Sequence, residues 1–219
     1  MDLMAIYNRL LSYFGPQGWW PAETSYEVVV GAILTQNTSW RNVERAIDNL
    51  KRYNLLDERK ILEMPLERLK DLIRPAGFYN IKSRRLKSTT EYIVNNYDST
   101  EELKRCDKDL HRLREELLSL KGIGKETADT ILLYSLDRPI FVVDNYTRRI
   151  FSRYGMIDKN MDYDKIRIFF EDNIPRNVEI YKEYHALIVQ LGKTLCKKRR
   201  PRCVDCPLFK ECRILIESL

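Results

Sequence analysis

Four of the five cysteines, Cys196, Cys203, Cys206 and Cys212, lie near the C-terminus at the spacing C-x6-C-x2-C-x5-C. Cysteines gathered like this without a secretory signal are thiolate ligands more often than disulfides. Four of them satisfy either a tetrahedral zinc or an iron-sulfur cluster, and the spacing leaves both metals open. Cys106 stands apart. A second candidate for chemistry is Asp144, a carboxylate that closes the apolar run Ile140-Phe141-Val142-Val143. Placed before Asn145-Tyr146-Thr147-Arg148-Arg149-Ile150 it would cap a helix. A carboxylate held at a helix start also stays ionised, the state needed to face a developing positive charge. The third is Leu120-Lys121-Gly122-Ile123-Gly124-Lys125-Glu126-Thr127-Ala128. With no Cβ at Gly122 and Gly124, the N–H groups opening the next helix can approach a phosphate oxygen, with Lys125 and Thr127 beside them. Any tight turn between two helices could use the same glycines.

The charge distribution supports a polyanionic partner. Lys and Arg number 38 against 32 Asp and Glu, a net +6. Between Lys193 and Arg213 stand eight basic residues (Lys193, Lys197, Lys198, Arg199, Arg200, Arg202, Lys210, Arg213) and two acidic ones, so the whole excess sits in the cysteine segment. Clustered cations gain affinity for nucleic acid by releasing counterions; they also offset the negative charge of four thiolates on one metal centre. With 44% hydrophobic and 32% charged residues, the composition excludes a disordered tail, a collagen-like fibre and a polytopic membrane protein. No run approaches the roughly 20 apolar residues of a spanning helix. Met1-Asp2-Leu3-Met4 leads into no signal-like segment, so the expected setting is cytoplasmic, away from membranes.

The elements that must position these groups are helical. Apolar residues recur at helical spacing, as in Val43, Ala46, Ile47, Leu50 and in Leu113, Leu117, Leu120, and no long alternating pattern competes. About ten helices are expected, one of them running from Lys125 to Leu136. Breaks fall at Gly15-Pro16-Gln17-Gly18, Met64-Pro65, Arg74-Pro75-Ala76-Gly77, Lys121-Gly122-Ile123-Gly124 and Ile174-Pro175. Ile140–Val143 is expected to be a buried connector.

In order, L-x-G-I-G-x-x-T-A, V-V-D and the cysteine array resemble the helix-hairpin-helix DNA glycosylases of the endonuclease III superfamily over nearly the full chain. Gly18-Trp19-Trp20-Pro21, Leu34-Thr35-Gln36-Asn37-Thr38-Ser39-Trp40 and Gly77-Phe78-Tyr79-Asn80 look like the 3-methyladenine DNA glycosylase III branch. The resemblance implies an all-α, two-lobed fold with an iron-sulfur cluster loop. A central lobe spans residues 22–132, and residues 1–21 and 133–219 form a second lobe carrying a [4Fe-4S] cluster on Cys196, Cys203, Cys206 and Cys212. It also implies a monomer that grips double-stranded DNA containing a damaged base, in the cytoplasm at the nucleoid.

Residue by residue, Asp144 matches the family's catalytic aspartate. Glu126 stands where bifunctional members carry the lysine that forms a Schiff base with the sugar. Lys125, one residue away, is turned by about 100° on a helix, so efficient strand cutting is not expected. Trp20, Pro21 and Trp40 match residues lining the base pocket, with Glu126 a further candidate, and Trp19 reads as packing. Gln36 matches the side chain that fills the gap left by an extruded nucleotide, and Phe78 the wedge on the opposite strand. A cationic alkylated purine would be held by aromatic faces through stacking and cation–π attraction. His185 reads as a core residue, and Leu187 occupies a position where near relatives carry a functional lysine. The expected activity is hydrolysis of 3-methyladenine or 7-methylguanine from DNA. The alternatives are a mismatch glycosylase, which would need a second acid near Asp144, and a non-catalytic redox-sensing DNA-binding module.

Overall fold

The computed structural model describes residues 2–212, and within them the chain is all helix and connector, with no strand. Arg213 lies outside the described residues. In chain order the helices are α1 (Leu3–Phe14), α2 (Ser25–Leu34), α3 (Trp40–Arg52), α4 (Glu58–Glu63), α5 (Leu66–Ile73) and α6 (Tyr79–Tyr97). They continue with α7 (Thr100–Arg105), α8 (Leu110–Ser119), α9 (Lys125–Thr130), α10 (Asn145–Tyr154), α11 (Tyr163–Asn173) and α12 (Val178–Thr194). Among the described residues twelve α-helices stand where about ten were expected, because six-residue helices such as α4 and α7 are too short to give a periodic apolar signal. The helix expected over Lys125–Leu136 is α9 followed by a π-helical turn, Ile131–Ser135.

The chain divides into two compact units, one from Trp20 to Arg138 and the other comprising the chain up to Trp19 together with the chain from Pro139. The first unit is organised around α2. Every residue from Tyr26 to Leu34 is buried, the behaviour of a helix that is apolar all round. Its start is fixed by a reciprocal cap: Glu27 N donates to Thr24 Oγ1 at 3.1 Å, and Glu27 Oε2 accepts from Glu23 N at 3.1 Å. The buried Glu27 carboxylate is paired with Lys51 at 2.9 Å. The π-helical turn, α3 and α6 pack around α2.

In the second unit α12 packs on α10 and α1. Phe141 and Phe170 stack at 4.2 Å, with Phe151 and Tyr184 edge-on to Phe170. Ile140–Val143 runs buried without regular structure, as its isolated apolar pattern implied. Its backbone therefore takes side-chain partners, Phe141 N donating to Glu171 Oε1 at 2.9 Å and Val143 N to Tyr163 Oη at 3.3 Å. This anchored connector delivers Asp144 to the start of α10.

Candidate active site

Asp144 is the N-cap of α10. Its Oδ1 accepts from Thr147 N at 2.7 Å and from Thr147 Oγ1 at 2.9 Å. One carboxylate oxygen thus does the capping, and the other, Oδ2, faces His185 Nε2 on α12 at 3.7 Å. Both side chains are nearly buried, 12% and 8% exposed. Burial by itself pushes the carboxyl up, but His185 and the two Thr147 donors outweigh it and hold Asp144 below the usual carboxylate range. His185 is buried, as a core residue would be, and its Nε2 faces this carboxylate. Its neighbours at i−4 and i+3, Tyr181 and Ile188, masked it, since a contact 41 residues away in sequence leaves no local periodic trace. Leu187 is fully buried.

The cysteine segment follows α12. Arg149 and Arg153, one turn apart on α10, hold its backbone: Arg149 Nε donates to Cys196 O at 2.9 Å, and Arg153 donates to Lys197 O at 2.7 Å and Lys198 O at 3.0 Å. Gly192 lets α12 approach this helix, because a Cβ there would lie 2.2 Å from the Tyr146 ring. Cys196, Cys203, Cys206 and Cys212 line one small cavity, closed partly by Arg153 and Leu195. Arg153 Nη1 is 3.4 Å from Cys196 Sγ. Among the described residues no three His, Cys, Asp or Glu side chains converge on the point a single ion would occupy. Burial pushes the Cys206 thiol up to about 11. Lys197, Lys198, Arg199, Arg200 and Arg202 are exposed.

The remaining candidates belong to the Trp20–Arg138 unit. Trp20 meets Trp40 edge to face at 5.0 Å and Tyr134 at 5.5 Å. Gly31 on α2 makes room for Trp20, since a Cβ there would sit 2.9 Å from its ring. Tyr134, on the π-helical turn, was not expected from the sequence; helical irregularities of this kind gather at functional sites. Trp40 Nε1 donates to Glu44 at 2.7 Å, and Pro21 is exposed. Trp19 lies in the other unit beneath Lys193 Nζ, 5.4 Å from its ring.

At the hairpin Gly122 has φ +89°, a conformation that favours glycine, and a Cβ there would fall 2.1 Å from Arg85 Nε and displace that side chain. Gly124 differs, with φ −93° and open space where its Cβ would be. Lys125 is half-buried and Glu126 exposed in the first turn of α9. Thr127 is buried and accepts from Gln36 Nε2 at 3.0 Å. Gln36 also donates to Gly122 O at 3.1 Å and accepts from Arg85 Nη1 at 2.6 Å. Its amide is thus docked on the hairpin. Phe78 has φ 46° and is 64% exposed, an aromatic ring held out from a strained backbone.

Comparison with known proteins accords with this geometry. Residues 30–176 match the HhH-GPD superfamily base excision DNA repair protein model. The chain is 61% identical over 207 residues, covering 94% of each protein, to a Methanocaldococcus jannaschii protein provisionally named a DNA repair glycosylase. It is 31% identical to the H. pylori 3-methyladenine DNA glycosylase MagIII, solved bound to 1,N6-ethenoadenine. That structure superposes with a TM-score of 0.77 over 88% of this chain and 98% of the other. An endonuclease III–DNA complex, 21% identical, shares the fold at a TM-score of 0.82 over 99% and 96% of the two chains. The chain belongs to the HhH-GPD superfamily of base excision DNA repair proteins and is a DNA glycosylase of that group.

Proposed function

We propose that the protein is a monofunctional DNA N-glycosylase that removes alkylated purines, 3-methyladenine and 7-methylguanine, from double-stranded DNA. The observation that carries this reading is the buried, ionised Asp144, with one oxygen committed to the cap and the other free of that task. As the bond between C1′ and the base nitrogen breaks, its electron pair leaves with the base and positive charge grows on the sugar. Asp144 stabilises that charge, and a water adds to C1′ while its proton passes to the carboxylate. A cationic purine leaves readily, so no strong acid is required. Trp20, Trp40 and Tyr134 supply the aromatic surface that would hold such a base, with Pro21 and Glu126 as further candidates for the pocket. Exposed Glu126 in place of a Schiff-base lysine argues against efficient strand cutting. Gly122, Gly124, Lys125 and Thr127 shape the hairpin that meets the backbone, while Gln36 and Phe78 fill the space left by the extruded nucleotide.

The cysteine donor set suits a [4Fe-4S] cluster. Cys196, Cys203, Cys206 and Cys212 line one cavity, and the likeness to endonuclease III favours iron over zinc there. Bound there, the cluster would supply structural order to a basic, DNA-facing segment. The protein would act as a monomer in the cytoplasm, on DNA at the nucleoid.

His185 favours a second reading, a mismatch glycosylase, because a neutral base needs an acid close to the aspartate. Single-turnover release of 3-methyladenine and 7-methylguanine from methylated duplex, by wild type and Asp144→Asn, tests the first reading. The expected result is aspartate-dependent release, with nicking only after alkali. No release, with thymine or uracil freed from mismatches instead, would establish the second.

A further inference from the structure

Lys82, on the first turns of α6, is 1% exposed. Its ammonium donates at 2.8 Å to Leu34 O, the last residue of α2, and at 2.8 Å to Ala76 O, in the turn before Phe78. The Phe78 ring centroid lies 6.0 Å away. Among the described residues no carboxylate pairs with it. The charged groups around it are cations or are paired elsewhere: Arg85, three residues on along α6, bonds Gln36, and Arg74 in the turn pairs with Asp71 at 2.7 Å and lies over Tyr79. Burying an uncompensated ammonium is costly, and a methionine of similar length would fill the space more cheaply. What the ammonium does that methionine cannot is bind two carbonyls from two separate segments, the end of α2 and the turn before Phe78.

We infer that Lys82 is a positioning residue that clamps the Gln36 segment and the Phe78 turn into the single geometry needed to hold DNA open around an extruded nucleotide. The inference rests on the assignment of Gln36 and Phe78 as the gap-filling pair. Two segments must enter the duplex together, and the clamp removes their relative freedom before DNA arrives. Burial, reinforced by Arg85, pulls the Lys82 ammonium down to about 8. Above that pH the neutral amine keeps weaker N–H donors and loses both charge assistance and its attraction to the Phe78 face.

The test uses a duplex with 2-aminopurine opposite a tetrahydrofuran abasic analogue, which needs no chemistry. Bound wild type is expected to raise 2-aminopurine fluorescence by unstacking it, with an enhancement that falls about threefold between about pH 6.5 and about pH 9. Lys82→Met, shown folded by circular dichroism and melting, is expected to lose the enhancement about tenfold at the lower pH, on the scale of one charge-assisted hydrogen bond, and to show no pH dependence. A folded Lys82→Met with wild-type enhancement would overturn the inference. If that variant does not fold, the wild-type profile decides, and an enhancement flat across this range overturns it equally. Missing Asp144-dependent base release would instead sink the glycosylase reading, a result distinct from either.

Discussion

Asp144 in one unit and Lys82 in the other are both withdrawn from water, and burial works against charge in each. The outcomes are opposite. Asp144 meets donors on both oxygens, Thr147 on Oδ1 and His185 facing Oδ2, and its carboxyl is held below the usual range. Lys82 meets two neutral carbonyls and a neighbouring cation, and its ammonium is pulled down to about 8. The difference shows that depth alone does not fix protonation; the partners do. One site keeps its charge, and the other keeps a charge loosely enough to be lost within a pH unit or so of neutrality.

The comparison breaks most sharply at Asp144. Asp144→Asn preserves a capping side chain, so folding and duplex binding are expected to persist while base release falls about 10²–10³-fold or more; single-turnover kinetics with a parallel binding isotherm checks this. In the other unit Lys82 sets a stability trend of known sign. Its folded value lies below the 10.5 of a free lysine, so between about pH 8 and 10.5 the unfolded chain holds a proton that the folded chain has released. Stability should therefore rise with pH across that window, by about 1–3 kcal/mol. Urea midpoints across this range should show the rise in wild type and lose this contribution in Lys82→Met. For Asp144 the slope has the same sign in a lower window: with its folded value also lowered, its contribution is present above about pH 4 and lost as pH falls through that lowered value.

Gly122→Ala sets Cβ against Arg85 at a positive φ and is expected to cost about 1–3 kcal/mol in a thermal or urea melt. Gly124→Ala, with open space and negative φ, should leave the melt nearly unchanged. The smallest effect is at His185. Replacing it with Gln removes the partner of Oδ2 while keeping a polar side chain, and should raise the acid limb of the base-release profile by up to about one pH unit. An unmoved limb would leave Thr147 alone as the origin of the low carboxyl value.

Much of this was legible in the sequence. The cap at Asp144, the preference for glycine at Gly122 and the buried connector at 140–143 each follow from one to ten neighbouring residues. The helical class followed from apolar spacing, and the family from three motifs in order. Tertiary partners were not legible. Lys82 and Arg85 gave no sequence signal, because the carbonyl and amide they meet lie far along the chain. His185 sat in an apolar pattern that concealed Asp144 as its neighbour. Tyr134 gave no signal because its place beside Trp20 depends on a π-helical turn that periodicity does not reveal.

The most direct test of an ionised Asp144 as the catalytic group is the pH profile of single-turnover base release from methylated duplex. The account predicts an Asp144-dependent rate that stays level as pH falls from about 7 to about 5, since the carboxylate remains charged throughout. A rate that drops through about pH 6 to 7, or one that survives Asp144→Asn, would contradict it.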